Sequence, residues 1–463
     1  MTFIGRRREL DLLERAHSGT RSALIPLYGR RRVGKSELIL QFLRARPGLY
    51  FLGKAAPAAL QLREFLREAA RALNEPLLAS LATESWSEAL TAVTERWTGP
   101  GKLPLVLDEF QWTVGASPEL PSVLQELWDR KWSRDGRVTL ILCGSYVGFM
   151  EREVLGRGSP LFGRRTAQIL LPPFSYREAA EFHPGWSLVE RARAYFICGG
   201  VPFYLRLFDP GRSVEKNIEE QVLDEFAPLF REPEFLLREE LRDVEKYHAV
   251  LLAIAAGCTS SPAIAQKTGL PERSLHYYVQ QLEQLGYVGR RHPLTGRRPA
   301  VRHVRYVLED PLLRFWFRFV FPNLSFIQQM GPRRTLRELI RPELETYFGS
   351  CFERLCREAL GHLYHREGVS ASFEIGEYWD RESQIDVVGL RDDGWTDLGE
   401  CKWGSVRSYP ALVQELERRV SAFPNPRGAT LQRRFFLKKQ GKRALPDVPG
   451  ASWHDLEDLY REG

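Results

Sequence analysis

The chain has 463 residues, 43% hydrophobic and 27% charged, which is ordinary for a globular protein and too long for a single core. No apolar run approaches the 18 residues of a membrane span. The first residues lack an apolar signal core, and the six cysteines are scattered without a C-x-x-C pair, so neither a disulfide framework nor a zinc site is suggested. These features predict a cytoplasmic protein with no membrane partner, and the net charge of +7 matters through its placement.

Phe3-Ile4-Gly5-Arg6-Arg7-Arg8-Glu9-Leu10 opens a helix, and Ala23–Tyr28 reads as a buried strand. The next residues, Gly29-Arg30-Arg31-Arg32-Val33-Gly34-Lys35-Ser36, fit the phosphate-binding-loop pattern G-x-x-x-x-G-K-[ST] without a mismatch, and helical spacing follows. Strand, loop and helix in that order let backbone N–H groups converge at a helix N-terminus, where phosphate is favoured. Lys35 is predicted to reach the β- and γ-phosphates of ATP, with the Ser36 hydroxyl on Mg²⁺.

Leu103–Glu109 is a hydrophobic strand ending in two acids. Asp108 is the expected metal-side carboxylate, and Glu109 the group that orients and activates water as general base. A third strand, Val138–Ser145, ends in Ser145, expected to hydrogen-bond the γ-phosphate or the attacking water as a sensor. The opening h-h-G-R-x-x-E-L box, the loop, the Asp-Glu-Phe-Gln strand end and Gly199-Gly200-Val201-Pro202 together resemble archaeal-type ATPases of the STAND class. These are relatives of AAA+ and origin-recognition ATPases, and the resemblance covers about residues 1–245. It implies that Gly5 and Arg6 pack near the adenine, that Gly200 and Pro202 close over the base, and that Arg164 or Arg165 faces the γ-phosphate.

Helical material from 176 to 245 is expected to form a lid. Helices from Val250, Ser261 and Glu272, followed by a basic hairpin, outline a winged helix-turn-helix over 246–310. Its wing holds Arg290, Arg291, Arg297, Arg298, Arg302 and Arg305, candidates for DNA phosphates. Pro311–Phe321 reads as a buried connecting helix, and Arg333, Arg334 and Pro342 as a linker that ends near 342.

In the last stretch, 343–463, a turn at Asp392-Asp393-Gly394 makes two strands a hairpin. A turn centred near Asp393 pairs Asp386 with Glu400, and Lys402 points to the same face. Facing carboxylates on a partly buried strand repel unless a cation sits between them. With Glu353 on the preceding helix, this constellation resembles the PD-(D/E)xK nuclease superfamily, although Ile385 stands where the usual proline precedes the first acid. The resemblance implies that Glu353, Asp386 and Glu400 hold Mg²⁺, or Mn²⁺, and that Lys402 activates water. Lys438, Lys439, Lys442 and Arg443 add a basic rim.

The expected architecture is thus α/β throughout. A P-loop parallel sheet (1–175) carries a helical lid (176–245), then come a winged helix, a connector (311–342) and a restriction-endonuclease-like α/β domain. The expected function is a Mg²⁺-dependent ATPase associated with DNA, able to form a homo-oligomer and carrying a nuclease-like domain. The alternative is a STAND-type signalling or scaffold ATPase whose later domains only bind partners.

Overall fold

A computed structural model describes residues 3–296, 304–441, 445–446 and 448–461. The chain divides into two compact units, Met1–Phe174 with Val201–Phe203, and Ser175–Gly200 with Tyr204–Gly463. Among the described residues no helix is long and apolar enough to cross a membrane.

The first unit is built on five parallel strands: β1 (Ala23–Tyr28), β2 (Leu49–Leu52), β3 (Leu103–Asp108), β4 (Val138–Gly144) and β5 (Ile169–Leu170), in the order β2-β3-β4-β1-β5. Every residue of β1, β3 and β4 is buried, as parallel strands covered on both faces require. The period of two is visible in the packing. Leu24 and Tyr28 join the core that holds Phe65, Trp86 and Trp132, whereas Ala23, Ile25 and Leu27 join the one that holds Leu13, Ile39 and Phe42. Because β4 lies between β1 and β3, the C-terminal ends of all three strands sit side by side, where open α/β sheets bind ligands.

The second unit contains the helices expected to form a lid, and they pack on its C-terminal part. Tyr195, on the Leu188–Cys198 helix, donates to Glu358 on the Arg341–Arg366 helix at 2.9 Å, and Tyr347 donates to the Phe196 carbonyl at 3.3 Å. Helices Val244–Ala255, Ser261–Thr268 and Glu272–Gln284 precede an antiparallel ribbon of β6 (Val288–Arg291) and β7 (Arg305–Leu308). The connector is buried as expected, with Trp316 donating to the Phe230 carbonyl at 2.7 Å.

The linker expected at Arg333–Pro342 is instead helical throughout. Helices Pro332–Thr335, Leu336–Ile340 and Arg341–Arg366 follow one another, and Pro342 sits in the first turn of the last, where its missing N–H costs nothing.

A mixed sheet closes the unit, with β8 (Phe373–Trp379), β9 (Gln384–Arg391), β10 (Trp395–Lys402), β11 (Thr430–Leu437) and β12 (Ala451–Asp455) in the order β12-β11-β10-β9-β8. The first three strands are antiparallel and the last two run parallel to β10. Gly399 lies opposite Val387, so the next step along the hairpin brings Glu400 to Asp386, the register expected from the turn.

Candidate functional site at the C-terminal edge of the parallel sheet

The loop after β1 curls through left-handed backbone at Arg32 (φ 69°) and Gly34 (φ 92°), and a Cβ on Gly29 would collide with the Leu171 carbonyl. Lys35 opens the Lys35–Leu43 helix and is only 6% exposed. Its ammonium donates to the carbonyls of Gly29 (2.8 Å) and Arg30 (2.9 Å), and burial lowers its pKa. A cation held only by neutral carbonyls is ready to exchange them for anionic oxygens. Val33 is buried in the core, and the Arg32 guanidinium lies 4.2 Å over the Phe203 ring. Arg31 acts electrostatically on Lys35.

Asp108 is fully buried at the end of β3. Its Oδ2 accepts from Ser36 Oγ at 2.7 Å and from the Tyr50 hydroxyl at 2.5 Å, and its Oδ1 accepts from the Glu109 N–H at 2.8 Å. Burial and the Asp108 charge push the Tyr50 phenol well above its ordinary range, so it remains a donor. Neighbouring ligands on an octahedral Mg²⁺ stand about 2.9 Å apart, given metal–oxygen distances of about 2.0–2.1 Å. Ser36 and Asp108 therefore fit that ion both in spacing and in hard-oxygen chemistry.

Glu109 follows in the left-handed region, at φ 49°, a strained conformation for a residue with a side chain. Its Oε2 accepts from Ser145 Oγ at 2.7 Å and from the Gln111 amide, which also reaches Ser145 at 3.2 Å. Ser145 thus serves the Glu109 carboxylate. Tyr50 and Gln111 escaped the sequence reading. Gln111 is the last residue of the Asp-Glu-Phe-Gln strand end, and that position was its available signal.

Gly5 (φ 63°) has the Phe174 ring against it, 2.7 Å from where a Cβ would stand. Arg6 is 4% exposed, donates to the carbonyls of Val33 (3.2 Å) and Pro172 (2.5 Å), and stacks 4.0 Å over Phe174. The opening box is therefore fastened to the phosphate-binding loop itself. Pro202 lies 3.6 Å from the Cβ position of Gly34, while Gly200 belongs to the second unit.

The two candidate arginines differ in their surroundings. Arg164 is committed to Asp129 through two bonds of 2.9 and 2.7 Å and to the Pro160 carbonyl, and Arg165 is exposed, with its charge acting on Tyr28.

In the C-terminal sheet Asp386 and Glu400 are buried. Asp386 accepts the Cys401 N–H at 3.0 Å, while Glu400 is held between Lys402 (2.6 Å) and Arg419 (2.5 Å). Burial raises the pKa of both acids, and pushes Glu353 up to about 8 with the help of the Asp386 charge. Lys402 is raised, its burial outweighed by Glu400.

Glu353 therefore belongs to the cluster, and Glu377, Arg357 and Arg419 are members not read from the sequence; Arg357 lies 3.5 Å from Glu377. As placed, the acids are engaged by cations and a backbone N–H. Among the described residues no group of three His, Cys, Asp or Glu side chains is arranged to hold a metal ion.

In the ribbon, Arg290 pairs with Glu283 (2.7 Å), Arg291 pairs with Glu309 (2.6 Å) and Arg305 stacks 4.3 Å over Trp379. Arg297, Arg298 and Arg302, like Lys442 and Arg443, lie outside the described residues.

Residues 3–208 match a family described as an ATPase domain predominantly from Archaea. Residues 316–413 match one described as Archaea bacterial proteins of unknown function. An uncharacterized protein of Methanocaldococcus jannaschii is 28% identical over 421 residues, 90% of this chain and 91% of that one. A 41-residue stretch, 9% of this chain, is 54% identical to an uncharacterized ATP-binding protein of the same organism, of which it covers 70%. Among solved structures, the Walker-type ATPase of Pyrococcus abyssi aligns at 21% identity and a TM-score of 0.49, over 68% of this chain and 96% of that one.

Proposed function

We propose, from the match of residues 3–208 to a family described as an ATPase domain predominantly from Archaea, that the chain is a Mg²⁺-dependent ATP hydrolase of STAND or AAA+-like type associated with DNA. The observation that carries this reading is the 2.7 Å contact between Ser36 and Asp108, with Glu109 one residue further on.

Lys35 exchanges the Gly29 and Arg30 carbonyls for the β- and γ-phosphate oxygens, while the loop from Gly29 to Val33 offers its N–H groups to the same phosphates. Ser36 and Asp108 would hold Mg²⁺, which would supply neutralisation of charge on the phosphates. Glu109, aimed by Ser145 and Gln111, orients the attacking water and accepts its proton. Gly5, Arg6 and Pro202 border the nucleotide. The test is Mg²⁺-dependent ATP binding and turnover by the wild type beside Lys35→Ala; wild-type protein that neither binds nor hydrolyses ATP overturns the reading.

The DNA association is supported by three helices followed by a ribbon, the order of a winged helix, with six arginines between 290 and 305. Arg290 and Arg291 have intramolecular carboxylate partners and Arg305 stacks on Trp379, while Arg297, Arg298 and Arg302 complete the candidate run.

A nuclease-like C-terminal domain is a second reading. It is favoured by Asp386, Glu400 and Lys402 meeting across a hairpin beside Glu353. Because Arg419 and Lys402 occupy the Glu400 carboxylate, we derive no hydrolytic step there. Plasmid cleavage in Mg²⁺ or Mn²⁺, lost in Lys402→Ala, favours the nuclease; its absence with ATPase intact favours the signalling or scaffold ATPase.

A further inference from the structure

A cavity of about 350 Å³ opens in the second unit, between the β6–β7 ribbon, the Pro311–Phe315 helix and the middle of the Arg341–Arg366 helix. Among its lining residues are four arginines, Arg291, Arg314, Arg354 and Arg357, and two glutamates, Glu309 and Glu358. The charges of Arg314, Arg291 and Arg357 all bear on Arg354, so the cations form one cluster.

The acids do not balance them. Glu309 divides its two oxygens between Arg291 (2.6 Å) and Arg354 (3.3 Å). Glu358 faces away, accepting the Tyr195 hydroxyl at 2.9 Å and the Tyr176 N–H at 3.1 Å. Arg314 makes no ion pair with a carboxylate among the described residues, and it donates to the Tyr347 hydroxyl at 3.4 Å and interacts with the Cys351 thiol. Arg357 looks outward to Glu377 at 3.5 Å and to the Asp386 carbonyl at 2.6 Å.

Clustered like charges at the wall of a partly enclosed cavity repel strongly, because little solvent screens them. A concave site of this size, with convergent polar groups, suits a small ligand and not a duplex. Planar guanidinium forks in several orientations match the tetrahedral oxygens of phosphate, which can take two donors from each fork. We propose that this cavity binds a small phosphate-bearing anion, gripped by Arg314 and Arg354 and competing with Glu309 for Arg291 and Arg354. Two sources share that chemistry, a free inorganic phosphate or pyrophosphate and the phosphate of a nucleotide.

The test is calorimetric titration of full-length Lys35→Ala protein, without divalent cation so that the phosphate-binding loop is disabled, using inorganic phosphate, pyrophosphate and AMP as separate probes. The expected result is one site for at least one probe, weakened tenfold or more in both Arg314→Gln and Arg354→Gln added to that background. Pyrophosphate binding tighter than AMP identifies an inorganic anion, and the reverse order a nucleotide. Should Arg354→Gln fail to fold, judged by its melting transition, Arg291→Gln takes its place beside Arg314→Gln. Absence of binding by all three probes, or affinity unchanged in the variants, overturns the proposal. None of these readouts depends on ATP hydrolysis.

Discussion

Ser36 Oγ and Asp108 Oδ2 lie 2.7 Å apart, although 72 residues separate them in the chain, because the helix that follows β1 and the end of β3 meet at the C-terminal edge of the sheet. If this pair holds Mg²⁺, Ser36→Ala raises the Mg²⁺ concentration needed for half-maximal ATP turnover more than about tenfold. Tyr50→Phe, which removes a partner behind the ligand, raises it by up to about tenfold. Mg²⁺ titration of turnover checks both, and an unchanged requirement in Ser36→Ala removes the serine from the ion's shell.

The Glu109 carboxylate accepts hydrogen bonds from Ser145 and Gln111. Each bond is worth about 1 kcal/mol, so Ser145→Ala and Gln111→Ala should each lower turnover about five- to tenfold with ATP affinity retained. A Ser145→Ala defect in ATP binding instead of turnover would return the serine to the phosphate-sensing role expected from the sequence.

His454 is buried beside Arg434, and burial followed by the Arg434 charge depresses its pKa to about 4. Arg434 is itself bound to Asp397 (2.5 Å) and to both oxygens of Glu367 (2.7 Å each). An unfolded histidine titrates near 6.5, so the unfolded chain takes up a proton first as pH falls. Stability should be intact above pH about 6.5 and decline from there towards pH 4, by up to about 3 kcal/mol from this residue. Melting temperatures of wild type and His454→Gln across pH 4–8 check the slope, which should be shallower in the variant.

Three arginines outside the described residues, contributing about 0.9 each, predict that log K for duplex DNA falls against log salt with a slope of about −3. Arg290→Gln should change that slope little, because Glu283 already holds that side chain. Binding titrations at several salt concentrations decide the matter, and a slope near zero would argue against phosphate contact.

Lys35, Ser36, Asp108 and Glu109 could be read from the sequence because each lies in a contiguous pattern whose spacing is dictated by the turn it makes. The Asp386–Glu400 register followed from one turn and the period of the strand. Tyr50, Gln111 and Arg419 approach the same carboxylates from other elements, and only packing brings them there. The segments 176–245 were legible as helical, but sequence periodicity shows which face is apolar and not which surface covers it. The proline at 342 read as a linker because a helix start and a helix break look alike there.

The most direct test of the account is ATP turnover by Glu109→Gln beside wild type, with nucleotide affinity measured on the same preparations. The account predicts ATP bound with near wild-type affinity and turnover reduced by about two orders of magnitude or more. Undiminished turnover in Glu109→Gln would contradict it, because the water-activating group would then have to be another residue.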